Sequence, residues 1–340
     1  MPNLFVARRP IFDRRLEVVG YELVSRGGRI TEGLVACCDY AGRRVILDGV
    51  AEIALEELVG SKTAWVGVSR EFVTCGLARA VPAGVVGLEI LDDGPVDDRL
   101  LAGLRSLKRQ GYELALGDCQ HGPDAARLLA LVDVVKLDLA VLGPERLREQ
   151  LARLEPYRVT TLAARVDTRD DHELCAAAGF ELLEGRFFCQ PARSPGRGIG
   201  PDRLSLLALL AALHDPAVEL SDLERLLAGN PSLGLRLLRY VNSSFFWLNG
   251  EVRSIGQALA LLGVAKLRPW AILSVLASIT DKPAELTVTA LIRARFCQRA
   301  GESLEIVSSG GLFTLGLFSV IDAVMDAPMQ DVVALLALPA

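Results

Sequence analysis

Nearly every strand-like run in the first half of this chain ends on a polar side chain and hands over to a segment with helical spacing. VVGYE closes on Glu22, VVGLE on Glu89, LALGD on Asp118 and LAARVD on Asp167, while VVKLD carries Lys136 and Asp138. AWVGV, around Gly67, is the exception. Repeated strand–helix units bury apolar strands beneath helices and favour a parallel sheet. Polar groups gathered at the C-terminal ends of such strands are where a (β/α) barrel assembles its site. The first half is therefore predicted to be an α/β, TIM-like (β/α) barrel with this row of polar residues at its mouth.

The alternation stops at ARSPGRGIGPD (192–202), where three glycines and two prolines fall within 11 residues. Pro-Gly and Gly-Pro pairs interrupt regular structure. The expected boundaries are a barrel over 1–195, a linker over 196–202 and an all-α helical domain over 203–340. Helix-start signals recur in the second half. Ser221 and Glu224 form an S-x-x-E capping box, and Asn230 precedes a first-turn Pro231. Ser254 and Gln257 form a second box, in a helix that Gly263 should close. Further helical spacing covers 204–213, 265–279, 286–300, 312–326 and 328–336. Within the barrel, 43–59, 97–110 and 145–154 read as helices.

Composition narrows the function. A net charge of −5 offers no broad positive field for nucleic acid. Apolar stretches such as LSLLALLAAL (204–213) fall well short of the ~20 residues a membrane helix needs. The opening MPNLFVARRPIFD has no signal-peptide core. The seven cysteines are scattered, odd in number and free of C-x-x-C pairs. That pattern suits small buried hydrophobes in a reducing compartment, not disulfides or zinc. A cytoplasmic protein without a cofactor is expected.

The ordered series PIFDRRLEVVGYELVSR, VGVS, LEILDD, LGDCQHG, VDVVKLD, LAARVDT and LLEGRFFCQP spans about residues 4–191 and resembles the EAL family. Each motif is weak alone; their shared order is specific. The resemblance implies a modified TIM barrel that hydrolyses cyclic di-GMP with Mg²⁺ or Mn²⁺, hard cations held by oxygen donors. It also implies that Glu22 and Glu89 stand where the family binds metal. Asp118 then matches the second aspartate of the D-D-F motif, and Lys136 the active-site lysine.

The chain departs from this pattern at several positions. Gly67 replaces a metal-binding asparagine, and Gly117 the first aspartate of D-D-F. Ala164 replaces a glutamate, and Arg165 the glycine after it. Glu184 and Arg9 replace glutamines that contact substrate. With those oxygen donors missing, the chain is expected not to be an enzyme but a degenerate phosphodiesterase. Its vestigial Glu22, Glu89, Asp118 and Lys136 would form an ion-pair network that holds the strand ends. If the mouth still takes an anion, Arg9, Glu22, Arg26 and Lys136 are the candidate contacts, with Arg165 a further cation.

The stretches NPSLGLRLLRYVNSSFF (230–246) and VRSIGQALALLGVAKLR (252–268) resemble the HDOD family, over about 201–336. The resemblance implies a helical relative of the HD phosphohydrolases that lacks their metal ligands and acts in bacterial signalling through protein contacts. Of the three histidines, His121, His172 and His214, only His214 lies near this module. Pro216 follows His214–Asp215, so the pair reads as a helix end rather than a metal site. The family's helices run beyond a last helix like the one that begins near Met329, so the module is expected to be short at its C-terminal end. Tyr240, Asn242, Phe245, Phe246 and Trp247 form a candidate partner-binding patch, although such aromatics also serve as core. Arg236, Arg239, Arg253, Lys266 and Arg268 make a basic fringe. The expected function is non-catalytic signal transduction through protein partners, self-association included. Cyclic di-GMP, as a bound ligand or a weak substrate, ranks below that, with nucleic acid lower still and no membrane contact.

Overall fold

The computed structural model describes residues 5–26, 55–74, 82–91, 94–117, 125–191, 209, 212, 218–243, 251–278, 281–304 and 309–336. The chain divides into two compact units, Met1–Phe187 and Phe188–Ala340. The segment expected to link them, 196–202, lies outside the described residues.

The first unit is a closed barrel of eight strands in sequence order. These are β1 (Phe5–Asp13), β2 (Val18–Arg26), β3 (Thr63–Val68), β4 (Val86–Ile90), β5 (Leu114–Leu116), β6 (Val134–Asp138), β7 (Thr160–Ala164) and β8 (Leu182–Glu184). From β2 to β8 neighbouring strands are parallel, but β1 runs antiparallel to both β2 and β8. The parallel sheet expected for the strand runs from VVGYE onward is found in β2 to β8, and β1, which precedes those runs, joins it antiparallel. Only Arg14–Glu17 connects β1 to β2, too few residues for a crossover, so the chain must reverse. Asp13 Oδ1 holds the turn by accepting the amides of Arg15 and Glu17 at 2.8 and 2.9 Å, and Leu16 takes a φ of 61°.

Helices α1 (Leu55–Val59), α2 (Arg70–Thr74), α3 (Asp98–Arg109), α4 (Ala125–Leu129), α5 (Leu139–Leu154) and α6 (Arg169–Ala178) follow successive strands. Sequence logic accounts for them. In α3, Asp97 caps the Leu100 amide and Leu100, Leu101, Leu104 and Leu107 are buried on one side. In α6, Thr168 and Asp171 make a reciprocal capping box, and Gly179 ends the helix in the left-handed region at φ 90°. Of the helix expected over 43–59, only 55–59 falls within the described residues.

The barrel interior is filled, as small barrels are. Ile11, Trp65, Ala115, Val134, Leu162 and Ala164 form its apolar layer. The Trp65 ring lies so close to β4 that a Cβ at Gly87 would stand 2.6 Å from it. Gly87 is the room the indole needs.

The second unit is helical throughout its described residues: α7 (Leu220–Ala228), α8 (Pro231–Val241), α9 (Ile255–Ser278), α10 (Ala284–Ser303), α11 (Ser309–Phe318), α12 (Ile321–Met325) and α13 (Met329–Leu336). Asn230 caps α8 through the Leu233 amide, with Pro231 in its first turn. Ser254 accepts from the Gln257 amide at 3.1 Å, while the Gln257 side chain reaches back to the Arg253 amide. Gly263 breaks α9 at φ 65°, as its C-cap role requires. Two expectations are corrected. The Ser221–Glu224 box does not form: the Glu219 carbonyl takes the Asp222 and Leu223 amides, so α7 starts earlier, at Leu220, without a side-chain cap. The single helix expected over 312–326 is two, parted between Phe318 and Ile321. Among the described residues no helix is long and apolar enough to cross a membrane.

Candidate functional site

Four ionisable side chains from four strands meet at the barrel mouth. Lys136, on β6, places Nζ 3.0 Å from Glu22 Oε1 of β2, 3.3 Å from Glu89 Oε2 of β4 and 3.0 Å from Glu184 Oε2 of β8. The Glu184 contact is close but off the hydrogen-bond direction, because this Oε2 makes no hydrogen bond. Arg9, across the β1–β2 ladder from Glu22, adds Nη1 at 3.1 Å from Glu22 and 3.7 Å from Glu184. Glu184 is 2% exposed and Arg9 51%, so the cluster runs from the barrel interior to solvent. The cluster closes over Ile11, Trp65, Ala115, Val134 and Leu162, around a void of ≈ 10 Å³, room for about one water.

Burial and charge divide the carboxyls. Burial pushes Glu184 up to about 8, with Lys136 pulling the other way and Glu22 reinforcing the rise. Glu184 therefore carries a proton at neutral pH, hydrogen-bonded to Glu22. Burial also opposes ionisation of Glu22. There Lys136, the hydrogen bond from Glu184 and Arg9 prevail and hold the carboxyl below its usual range. Burial alone would favour neutral Lys136, but Glu89, Glu184 and Glu22 outweigh it and raise its pKa, so it stays charged.

A second set of charges lines the rim beyond β7. Arg165 follows Ala164, which pairs with Asp138 at the end of β6, and its Nη2 lies 2.5 Å from Asp138 Oδ2. Arg165 takes a φ of 58°, a conformation that disfavours an L-residue by about 1–2 kcal/mol. Half-exposed ion pairs of this kind are worth only ~0–1 kcal/mol. Arg186 pairs with Asp167 at 3.1 Å, and Arg9 acts on the same Asp167 carboxyl, helping to hold it below the usual range after the Arg186 hydrogen bond.

The positions that should supply metal donors are filled differently. Gly67 and Gly117 have no side chains, and a Cβ at Gly67 would stand 2.5 Å from Leu91 Cδ1. One at Gly117 would stand 2.6 Å from Glu89 Oε1 and 3.4 Å from Leu91 Cδ2. Leu91 and the Glu89 carboxyl thus occupy the space those donors would use. Among the described residues no group of three or more His, Cys, Asp or Glu is placed to hold a metal ion. Among the described residues, Glu22 and Glu89 are the carboxylates of the expected donor set, and both are held by Lys136; Asp118 lies outside them. Leu91 was missed in the sequence, where it reads only as the apolar residue after LEI.

Of the candidate residues, Arg9, Glu22, Glu89 and Lys136 come together, and Glu184 joins them. Asp118 lies outside the described residues, and Arg26 ends β2 with its side chain outside them. In the second unit Tyr240 stacks on Trp270 with ring centroids 6.1 Å apart. Asn242 is taken up structurally: its amide clamps both backbone groups of Val252 at 2.8 Å. Phe245, Phe246 and Trp247 lie outside the described residues. Arg236 donates to the Ser274 carbonyl, and Arg253 pairs with Glu251.

With this geometry in hand, known proteins are informative. The model of the HDOD domain matches residues 203–327. CdgJ of Vibrio cholerae, named a cyclic di-GMP phosphodiesterase, is 30% identical over 99% of this chain and 79% of its own length. The uncharacterized protein YuxH of Bacillus subtilis is 26% identical over 97% of this chain and 83% of its own. The crystal structure of the EAL domain of Mycobacterium smegmatis DcpA superposes with a TM-score of 0.42 at 20% identity, over 54% of this chain and 90% of that one. The expectation of a chain that is not an enzyme is corrected by CdgJ: a relative matching almost end to end bears an enzyme's name. Counting donors overreached, because it weighed the missing groups above the retained Glu22, Glu89 and Lys136, which stand together at the mouth.

Proposed function

Because this chain belongs to the EAL–HDOD family, we propose that its barrel mouth takes cyclic di-GMP and hydrolyses it slowly, while its helical unit relays the state of the barrel to other signalling proteins. The observation that supports this most is the meeting of Lys136 with Glu22, Glu89 and Glu184 at the strand ends, in a chain 30% identical to a named cyclic di-GMP phosphodiesterase.

The chain's own groups suit a phosphodiester. Lys136 is a permanently charged donor, and Arg9, half in solvent, offers a planar guanidinium to a phosphate oxygen. Glu184 holds a proton at neutral pH, so the anionic ligand meets a neutral carboxyl there instead of a second negative charge. Each missing charge-stabilising group commonly costs about 10² to 10³ in rate, so turnover is expected to be slow.

The test is incubation with cyclic di-GMP in Mn²⁺ buffer and, separately, in chelator, with products resolved by chromatography. Linear dinucleotide forming in the Mn²⁺ arm and vanishing in Glu22→Ala is the expected result. A wild-type protein that binds cyclic di-GMP yet forms no product over long incubation refutes hydrolysis. One that does neither refutes the reading of the mouth.

A further inference from the structure

We infer that Arg165 is the residue with which the rim grips a phosphate of the cyclic dinucleotide, acting together with Arg9. This inference rests on the reading of the mouth proposed above. Arg165 stands directly beyond the buried cluster: it follows Ala164 of β7, whose ladder partner is Asp138, two residues along β6 from Lys136. Only β8 separates β7 from β1, where Arg9 sits. Arg9 lies 3.7 Å from the Glu184 carboxyl, and the Glu184 carbonyl accepts the amide of Val166, the residue after Arg165, so both arginines flank Glu184.

The backbone supplies the second argument. At φ 58° glycine would carry the loop without strain, so the fold alone does not call for a bulky cation here. Such outliers gather where a side chain is needed for function. What arginine adds to glycine at this point is a forked set of donors matched to two phosphate oxygens. Asp138 Oδ2 lies 2.5 Å from Arg165 Nη2, so a phosphate oxygen would replace that carboxylate as the guanidinium's partner. Lys136, two residues before Asp138 on β6, sits within the buried carboxyl cluster, whereas Arg165 and Arg9 are each about half exposed.

The experiment is calorimetric titration of the full chain with cyclic di-GMP at two salt concentrations, for wild type, Arg165→Gly and Arg165→Lys, with thermal unfolding in parallel. Arg165→Gly is expected to unfold at the wild-type temperature or above it, because strain is relieved. It should bind ~10-fold or more weakly, as loss of a charged hydrogen bond predicts, and with a shallower salt dependence. Lysine should restore part of the affinity. Wild-type affinity in Arg165→Gly overturns this inference and leaves the reading of the mouth intact. Weaker binding accompanied by a lower unfolding temperature also overturns it, by assigning Arg165 to the fold. A wild-type protein that does not bind removes both.

Discussion

Glu184 is a carboxyl held neutral by its surroundings. Its pKa is pushed up to about 8 by burial, whereas in an unfolded chain it would lose its proton near 4.5. Between those values unfolding releases a proton, so raising the pH favours the unfolded state. The stability this residue contributes is complete below about 4.5 and is lost as the pH rises through about 8. Glu184→Gln keeps the shape of the protonated form and removes the titration. Its unfolding temperature should therefore gain on wild type steadily from pH 5 to pH 9, as measured by circular dichroism. A constant difference across that range would mean that Glu184 is ionised in the folded protein. At this scale the sequence was partly legible: Glu22, Glu89 and Lys136 announced themselves as polar ends of apolar strands. Glu184 drew notice only as a departure, and its raised pKa depends on burial and on two neighbours distant in sequence, Glu22 and Lys136.

Close approach of the backbone decides which elements tolerate change. Gly185 follows β8, and a Cβ there would stand 1.9 Å from the Val166 carbonyl oxygen. The neighbouring Val166 amide donates to the Glu184 carbonyl, and the Phe187 amide to the Val166 carbonyl, so neither segment can retreat. Gly185→Ala is expected to destabilise the protein by at least ~1–3 kcal/mol, the usual range for overpacking, as read from the urea midpoint. An unchanged midpoint would show that the β7–β8 connection yields. Elements with strong local signals were readable in advance: α3 by its helical spacing and α8 by its Asn230–Pro231 start. β1 was not, because Pro10 within FVARRPIFD argues against an interior strand; its pairing with β2 and β8 is what admits it. The capping box at Ser221 failed for a related reason. A first turn closed by the Glu219 carbonyl left Ser221 inside the helix, where a cap has no function.

The whole molecule comprises two compact units, Met1–Phe187 and Phe188–Ala340, with separate sets of buried side chains: the barrel's apolar layer under Lys136, and residues such as Leu223, Leu237, Leu259 and Val324 among the helices. Removing Lys136 leaves buried carboxyls without their counter-charge, a loss of about 3–5 kcal/mol. Differential scanning calorimetry of Lys136→Met should show one transition moved to lower temperature and a second, from the helical unit, left in place. Movement of both would mean that the units unfold as one. What the sequence determined by itself was the alternation of strands with helices, the helical character of the second half, the family to which those motifs belong, and which strands carry charged side chains. These depend on local periodicity and on residue order, which a linear chain carries. The tertiary structure alone decided that β1 closes the barrel antiparallel, that Leu91 and Glu89 fill the space beside Gly67 and Gly117, and that Glu184 keeps its proton. Each of these is set by distances between strands far apart in the chain, and burial and charge act through those distances.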